Sequence, residues 1–273
     1  MRIRSTERTH EFTKSLFESL AIFNLGGLTL SDSREFTAGI EAFELDEGEG
    51  LDFKKVITLP ELEAKFTLSN ILRIPLLFLV YESDEITVYQ VIENESFRFK
   101  RLEKMAREQF PAWWRRIKHT NQQKPIYEAT PRIAGSVFDT ELAKAGLAWG
   151  GNIDGFILKE GRVLAIVENI YTQKNPLGSH RANPATYFRT KGPNYNSWLP
   201  SILLAGRLGV PLFLFTFEGN SSAARMGFSV IDHLGRDAIH YRGAPPNENI
   251  LSGFERIRKT IIENLSEAPP YLA

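Results

Sequence analysis

The sequence predicts an α/β protein built from units with the order helix, strand, strand, helix, strand (αββαβ). Two apolar runs that begin with proline, Pro75–Tyr81 and Pro211–Phe217, have the length and composition of buried strands. Each run follows a segment of helical periodicity, which itself follows a pair of strand-like segments. With 273 residues, the chain can form one large domain or two small ones.

The first unit is predicted to occupy residues 1–120. Its predicted helices are Thr9–Leu25, Pro60–Leu72 and Phe99–Lys118. Its predicted strands are Phe36–Leu45, Leu51–Leu59, Pro75–Tyr81 and Ile86–Ile92. Asn121–Thr130, which is rich in Gln, Lys and Pro, is the best candidate for a linker to the second unit.

The second unit is predicted to occupy residues 131–273. Its predicted helices are Gly135–Gly146, Trp198–Leu208 and Ile250–Leu265, and its predicted strands are Asn152–Leu158, Val163–Tyr171, Pro211–Phe217 and Phe228–Asp232. A polar insertion, Thr172–Pro193, separates the second of these strands from the following helix. The two units therefore contain similar elements in the same order.

Local sequence matches suggest that the two units are copies of one another. Ile40–Phe43 parallels Ile153–Phe156, and Ser69–Leu79 parallels Leu204–Leu214. A fused duplication explains these matches. General similarity between short α/β units explains them equally well, so both interpretations stay open.

Composition excludes several classes of protein. The chain has no cysteine, which excludes disulfides, zinc–thiolate sites and a catalytic thiol. No apolar run reaches the ~18–20 residues that span a bilayer, and the first residues do not form a signal peptide, so a cytoplasmic protein without a membrane partner is expected. Net charge is zero overall, but residues 1–100 carry −7 and residues 101–200 carry +7.

Two acidic residues of the second unit have the spacing of a metal site. Asp154 lies early in the first strand of the predicted hairpin, and Glu168 lies late in the second strand. Such positions face each other in an antiparallel pair. Two facing carboxylates repel unless a cation lies between them, and Mg²⁺ prefers oxygen ligands of this kind.

This arrangement resembles the PD-(D/E)xK nuclease superfamily, which includes many restriction endonucleases. Asp154 and Glu168 match the two acids of the family, and Glu141 on the preceding helix matches an acid that some members add to the metal site. The resemblance implies a restriction-endonuclease-like αββαβ core that binds Mg²⁺ or Mn²⁺. It implies a DNA endonuclease of restriction or defence type, for which a homodimer or a larger complex is also conceivable.

One position departs from the family pattern. The lysine of the family falls two residues after the second acid, where this sequence has Ile170. We expect Lys174 to replace it, with Arg189 and Lys191 as alternatives. The sequence from Ile170 to Thr216 contains no acidic residue. We therefore expect the phosphate backbone to be contacted in this segment by Arg181, Arg189, Lys191 and Asn194.

The first unit has a second candidate site, formed by Glu41, Asp52 and Lys54. Glu41 takes the place of the first acid in this interpretation, and Asp52-Phe53-Lys54 is a literal Asp-x-Lys motif. Chance alternation of charged residues also produces such a motif. A catalytically inactive nuclease-like protein, which binds nucleic acid or serves as a subunit of a larger complex, is the alternative to the enzyme.

Overall fold

A computed structural model gives the fold of the chain. It describes residues 2–3, 11–46, 50–93, 97–121, 136–147, 149, 151–172, 175–186, 188, 193–219, 223–234, 238–268 and 270–271. The helices are α1 (Glu11–Leu20), α2 (Leu59–Leu72), α3 (Phe110–Lys118), α4 (Val137–Lys144), α5 (Pro193–Leu208) and α6 (Phe254–Glu267). The strands are β1 (Arg2–Ile3), β2 (Ile22–Leu30), β3 (Phe36–Glu44), β4 (Leu76–Glu82), β5 (Glu85–Glu93), β6 (Phe97–Ala106), β7 (Gly151–Lys159), β8 (Arg162–Thr172), β9 (Leu212–Glu218), β10 (Arg225–Leu234), β11 (Ile239–Arg242) and β12 (Ile250–Ser252).

The protein is mixed α/β, as predicted. Strands β3 and β4 are parallel, as are β8 and β9, and the other pairings described are antiparallel. Each parallel pair is joined by a helix, α2 or α5, because parallel neighbours need a crossover connection. No helix in the described part of the chain is long and apolar enough to cross a membrane.

Contacts divide the chain into two compact units. The first contains Met1–Thr6 and Leu25–Gly150, and the second contains Glu7–Asn24 and Gly151–Ala273. This division differs from the predicted domains 1–120 and 131–273. Helix α1 belongs to the second unit, and α4 belongs to the first. Each of these helices thus belongs to a different unit from most of the hairpin that it immediately precedes in sequence.

In the first unit, the strands are ordered β2-β3-β4-β5-β6, and β1 also pairs with β3. Thr58 begins α2 with a capping box, in which Thr58 and Glu61 exchange side-chain and backbone hydrogen bonds. On one face of the sheet, Ile40 and Ala42 of β3 join a buried cluster that includes Trp113 and Trp114 of α3. The residue between them, Glu41, points to the opposite face, because side chains alternate along a strand.

In the second unit, the strands are ordered β7-β8-β9-β10-β11, and β12 pairs with β10. Ala165 and Val167 of β8 pack in an apolar core with side chains of α1, α6, β9 and β10. The residue after Val167, Glu168, therefore points to the other face of the sheet, where α5 packs. The core thus holds Glu168 in a fixed register.

The two units have the same strand order and the same register. In the first, Gly39 N–H donates to the Pro75 carbonyl, and Glu41 pairs with Phe78. In the second, Ile166 N–H donates to the Pro211 carbonyl, and Glu168 pairs with Leu214. Each glutamate thus lies opposite the third residue after the proline, so Glu41 is equivalent to Glu168.

This equivalence corrects both sequence matches. The match of Ile40–Phe43 with Ile153–Phe156 is wrong, because Glu41 corresponds to the second acid, Glu168, and not to Asp154. The match of Ser69–Leu79 with Leu204–Leu214 is shifted by one residue, because Pro75 corresponds to Pro211. Strand pairing establishes both corrections, since a one-residue slip moves every side chain to the other face of the sheet.

Several predicted elements of the second unit are confirmed, and several others in the chain are wrong. The hairpin β7–β8 and strand β9 lie where they were predicted, and α5 begins at Pro193, five residues before the start of the predicted helix. The helix predicted over Thr9–Leu25 ends at Leu20 and is followed by β2. The one predicted over Phe99–Lys118 begins as β6, and the one predicted over Ile250–Leu265 begins as β12. The strand predicted over Leu51–Leu59 is replaced by a short 3-10 turn, Phe53–Lys55.

Candidate metal centre

Asp154 lies at the edge of the β7–β8 pairing and has both carboxylate oxygens hydrogen-bonded. Asn152 Nδ2 donates to Asp154 Oδ1 at 2.9 Å, and Asn169 N–H donates to Asp154 Oδ2 at 3.0 Å. The next residue is Gly155, where a Cβ atom would approach Ile22 Cγ2 to 2.8 Å. The absence of a side chain at Gly155 allows Ile22 to pack closely against this residue, on the face of the sheet opposite Asp154.

Among the described acids of the second unit, Glu168 is the most deeply buried. It is 4% exposed, and its Oε1 atom has no hydrogen-bond partner among the described residues. Because Gly155 pairs with Val167, the preceding and following residues, Asp154 and Glu168, come next to each other on one face of the hairpin. The sequence prediction that these two acids face each other agrees with this register.

The environment favours the neutral form of Glu168. Burial raises the pKa of the Glu168 carboxyl well above its usual range, and the negative charge of Asp154 raises it further. The Ser201 hydroxyl of α5 acts in the opposite direction on this pKa. Ser201 Oγ therefore lies near the Glu168 carboxyl, although it forms no hydrogen bond of good geometry with any described residue.

The equivalent position in the first unit holds a buried ion pair. Lys65 Nζ of α2 lies 2.7 Å from Glu41 Oε1, and the two side chains are 6% and 4% exposed. Gly26 N–H also donates to Glu41 Oε1, at 2.9 Å. Because Gly27 pairs with Ile40 as Gly155 pairs with Val167, Gly26 takes the place of Asp154. The first unit therefore has one acid and one lysine where the second unit has two acids.

Asp52 and Lys54, the other residues of the second candidate site, belong to a local turn. Asp52 begins the 3-10 turn, and its side chain accepts a hydrogen bond from Lys54 N–H at 3.1 Å. The Asp-x-Lys sequence is thus a capped turn and not part of a strand. Its residues do not lie opposite Glu41 in the strand pairing that the structure describes.

Glu141, the predicted third acid, belongs to the first unit and is engaged by two basic residues. Arg107 Nε lies 2.6 Å and Lys144 Nζ lies 2.8 Å from Glu141 Oε1. Burial raises the pKa of Glu141, but the hydrogen bonds from Lys144 and Arg107 lower it more, so that it lies below its usual range. Its charge is therefore already compensated within the first unit.

The predicted phosphate-binding residues are only partly described. Arg181 is exposed in a 3-10 turn, His180–Ala182, within the segment that follows β8. Asn194 lies in the first turn of α5. Lys174, Arg189 and Lys191 lie outside the described residues. Ile170, at the position of the family's lysine, is a half-buried residue of β8.

Within the described ranges, no group of three or more His, Asp or Glu side chains could hold a metal ion. The candidate centre therefore consists of two carboxylates. Ser201, Lys65 and Gly26 were not predicted from the sequence. Lys65 and Ser201 each lie ten positions before a proline. Aligning Pro75 with Pro211 would therefore have shown that these two residues are equivalent.

The fold and the site define a mixed α/β protein with two matching units, of which the second has a buried glutamate, Glu168, next to a half-buried aspartate, Asp154. Comparison of the chain with protein-family models, with curated proteins and with solved structures gives no significant match.

Proposed function

We propose that this protein is a metal-dependent nuclease that hydrolyses phosphodiester bonds in DNA, with Asp154 and Glu168 as ligands of Mg²⁺ or Mn²⁺. The observation that carries the proposal is the buried Glu168 Oε1 atom, which has no hydrogen-bond partner among the described residues. A buried polar atom without a partner costs about 1–3 kcal/mol, and more when it is charged. A cation between Glu168 and Asp154 would remove this cost.

Two carboxylates suit the proposed ion. Mg²⁺ is commonly held by one or two carboxylates, and its other ligands are waters and substrate phosphate oxygens. Such an ion, when bound, polarises a phosphoryl oxygen and makes hydroxide available near neutral pH. Glu141 is already paired with Arg107 and Lys144, so it is not among the proposed ligands.

Neighbouring residues orient the first acid. The hydrogen bonds from Asn152 Nδ2 and Asn169 N–H fix both oxygens of Asp154, so its carboxylate has little freedom to turn away. Hydrogen bonds to a metal ligand hold the ligand in place and contribute to metal affinity. Asn152 is therefore proposed as a positioning residue.

DNA is proposed as the substrate because of the charge pattern beyond β8. From Ile170 to Thr216 the sequence contains five Lys or Arg residues and no acid, and Arg181 is exposed. Cations in such a segment neutralise backbone phosphates without reading the base sequence. Lys174 remains the proposed replacement for the family's lysine, and a restriction or defence role remains the expected setting.

A second candidate is a nuclease-like protein without catalytic activity that binds nucleic acid. Ile170 favours it, because an apolar side chain at this position cannot orient a water molecule or offset charge. This candidate predicts nucleic-acid binding that needs no divalent metal and survives the loss of Asp154.

The deciding experiment is cleavage of supercoiled plasmid and linear duplex DNA with Mg²⁺ or Mn²⁺. Wild type is compared with Asp154→Asn, Glu168→Gln and the control Asp52→Ala, which removes only the cap of a surface turn. Cleavage that persists in Asp52→Ala and falls at least about 100-fold in the other two variants supports the proposal. Cleavage lost only in Asp52→Ala places the chemistry in the first unit. Metal-independent DNA binding without cleavage favours the second candidate.

A further inference from the structure

Ser201 of α5 is the counterpart of Lys65 of α2. Ser201 lies ten residues before Pro211, and Lys65 lies ten residues before Pro75. Both helices end alike before these prolines: Arg73 and Gly209 have left-handed φ values of 58° and 62°. With the prolines equivalent in register, Lys65 and Ser201 occupy the same position on equivalent helices.

In the first unit this helix position supplies a positive charge to the buried acid. Lys65 Nζ contacts Glu41 Oε1 at 2.7 Å, and Gly26 N–H contacts the same oxygen. A Cβ atom on Gly26 would lie 2.9 Å from Glu41 Oε2, so this arrangement has no room for a second acid. The ammonium group is thus a cation that the chain itself provides.

In the second unit both replacements change the charge in the same direction. Asp154 adds a carboxyl group where Gly26 has none, and Ser201 removes the ammonium group of Lys65. Serine is also much shorter than lysine. Glu168 Oε1 and Ser201 Oγ both lack hydrogen-bond partners in the described part of the chain, and their residues are 4% and 0% exposed.

We infer that the divalent cation of the second unit lies on the α5 side of Glu168, at the position that Lys65 Nζ takes in the first unit, and that Ser201 Oγ faces it. This inference rests on the proposed function and adds Ser201 to the centre. The hydroxyl oxygen is a hard donor, which suits Mg²⁺ or Mn²⁺ either directly or through a bound water.

Three substitutions in the full-length protein test this position. Ser201→Lys places an internal ammonium group where the first unit has one. Ser201→Met adds a side chain of similar length without the charge, and Ser201→Ala removes only the hydroxyl. Mn²⁺ binding is measured for each from the electron paramagnetic resonance signal of the free ion, and thermal unfolding is measured with and without Mn²⁺.

We expect Ser201→Lys to weaken Mn²⁺ binding by about 100-fold or more, because two positive charges would compete for one buried site. Ser201→Ala should weaken it by about tenfold, as loss of a supporting ligand does. Without metal at neutral pH, Ser201→Lys should unfold at a higher temperature than Ser201→Met. The charge, and not the added volume, then accounts for the difference.

The inference and the proposed function fail in different ways. If wild type binds Mn²⁺ through Asp154 but all three Ser201 variants bind it equally well, the position assigned to the cation is wrong and the function stands. If wild type binds no Mn²⁺, the metal-dependent function is wrong. If Ser201→Lys is no more stable than Ser201→Met, Ser201 does not face the Glu168 carboxyl as inferred.

Discussion

At the scale of single residues, two positions in each unit determine how a buried glutamate is compensated. Glu41 has Lys65 and the Gly26 N–H group as partners, whereas Glu168 has Asp154 beside it and an Oε1 atom without a partner in the described residues. A buried acid that is not paired is costly, and it persists where function requires it. The contrast between two equivalent positions is therefore stronger evidence for a site than either acid alone.

The raised pKa of Glu168 predicts how the stability of the metal-free protein depends on pH. The folded protein keeps a proton on Glu168 that the unfolded chain releases above about pH 4.3. The folded state therefore loses stability as pH rises from that value towards the raised folded pKa. We expect Glu168→Gln to raise the melting temperature at pH 7–8 in EDTA, but not at pH 4.

Thermal unfolding from pH 4 to pH 8 checks this prediction, with Glu267→Gln at the exposed end of α6 as the matched control. Each pKa unit between the two states is worth about 1.4 kcal/mol. The control should show no comparable gain at high pH. A Glu168→Gln variant with the same stability as wild type throughout this pH range would contradict the assignment of a neutral Glu168.

The Lys65–Glu41 pair makes a second prediction at this scale. Lys65→Met leaves Glu41 buried without its partner, which should destabilise the protein by about 3–5 kcal/mol. Glu41→Gln combined with Lys65→Met should recover most of this loss, because no uncompensated charge remains. Urea denaturation of the single and double variants measures the difference. Equal losses in both would show that packing, and not charge, dominates.

At the scale of elements, the sequence predicted the hairpin and helix around the site better than the elements at its borders. The segments Asn152–Leu158 and Val163–Tyr171 are strands because their apolar residues pack against two layers. In contrast, Phe97-Arg98-Phe99-Lys100 alternates between aromatic and basic residues with a period of two, which favours a strand. The helix predicted over Phe99–Lys118 did not take this alternation into account. The Gly-containing strand β2 was missed because helical periodicity continued into it.

The site itself was predictable only as far as local pairing reaches. The facing of Asp154 and Glu168 follows from one hairpin, in which few residues separate the strands. The position of Ser201 depends on how α5 packs on the sheet, and the pairing of Lys65 with Glu41 depends on α2 in the same way. Such contacts between distant segments are not visible in the periodicity of any one segment.

The helix ends that precede β4 and β9 give a prediction at the scale of elements. Arg73 and Gly209 both adopt left-handed backbone conformations, but only glycine does so without steric cost. We expect Gly209→Arg to destabilise the protein by about 1 kcal/mol, and Arg73→Gly to be neutral or stabilising by up to that amount. Chemical denaturation of both variants tests this, and a destabilised Arg73→Gly would show that the arginine side chain has contacts of its own.

At the scale of the whole molecule, the two units share more than an element order. Strands β2 to β6 follow the same order in the first unit as strands β7 to β11 in the second, with the same register at the prolines. The helices that precede the two hairpins are exchanged between the units, however: α1 belongs to the second unit and α4 belongs to the first. A boundary drawn between residues 120 and 131 therefore cuts through the contacts that complete each unit.

This exchange predicts that the segment 131–273 does not fold on its own. Leu16 and Leu20 of α1 are buried in the same core as Phe213 and Phe215 of β9, so their removal exposes a large apolar surface. Loss of even one buried leucine typically costs about 2–5 kcal/mol, which approaches the total stability of many domains. The isolated segment should therefore lack a cooperative unfolding transition.

Circular dichroism during thermal unfolding distinguishes the outcomes for three proteins: residues 131–273, residues 7–24 joined by a flexible linker to 151–273, and the full chain. The linked protein contains the complete second unit and should unfold cooperatively, whereas residues 131–273 should not. If the linked protein also binds Mn²⁺ through Asp154, the metal centre needs no residue of the first unit, Glu141 included. Cooperative unfolding of residues 131–273 alone would mean that α1 is dispensable, and that the predicted boundary was a true domain boundary.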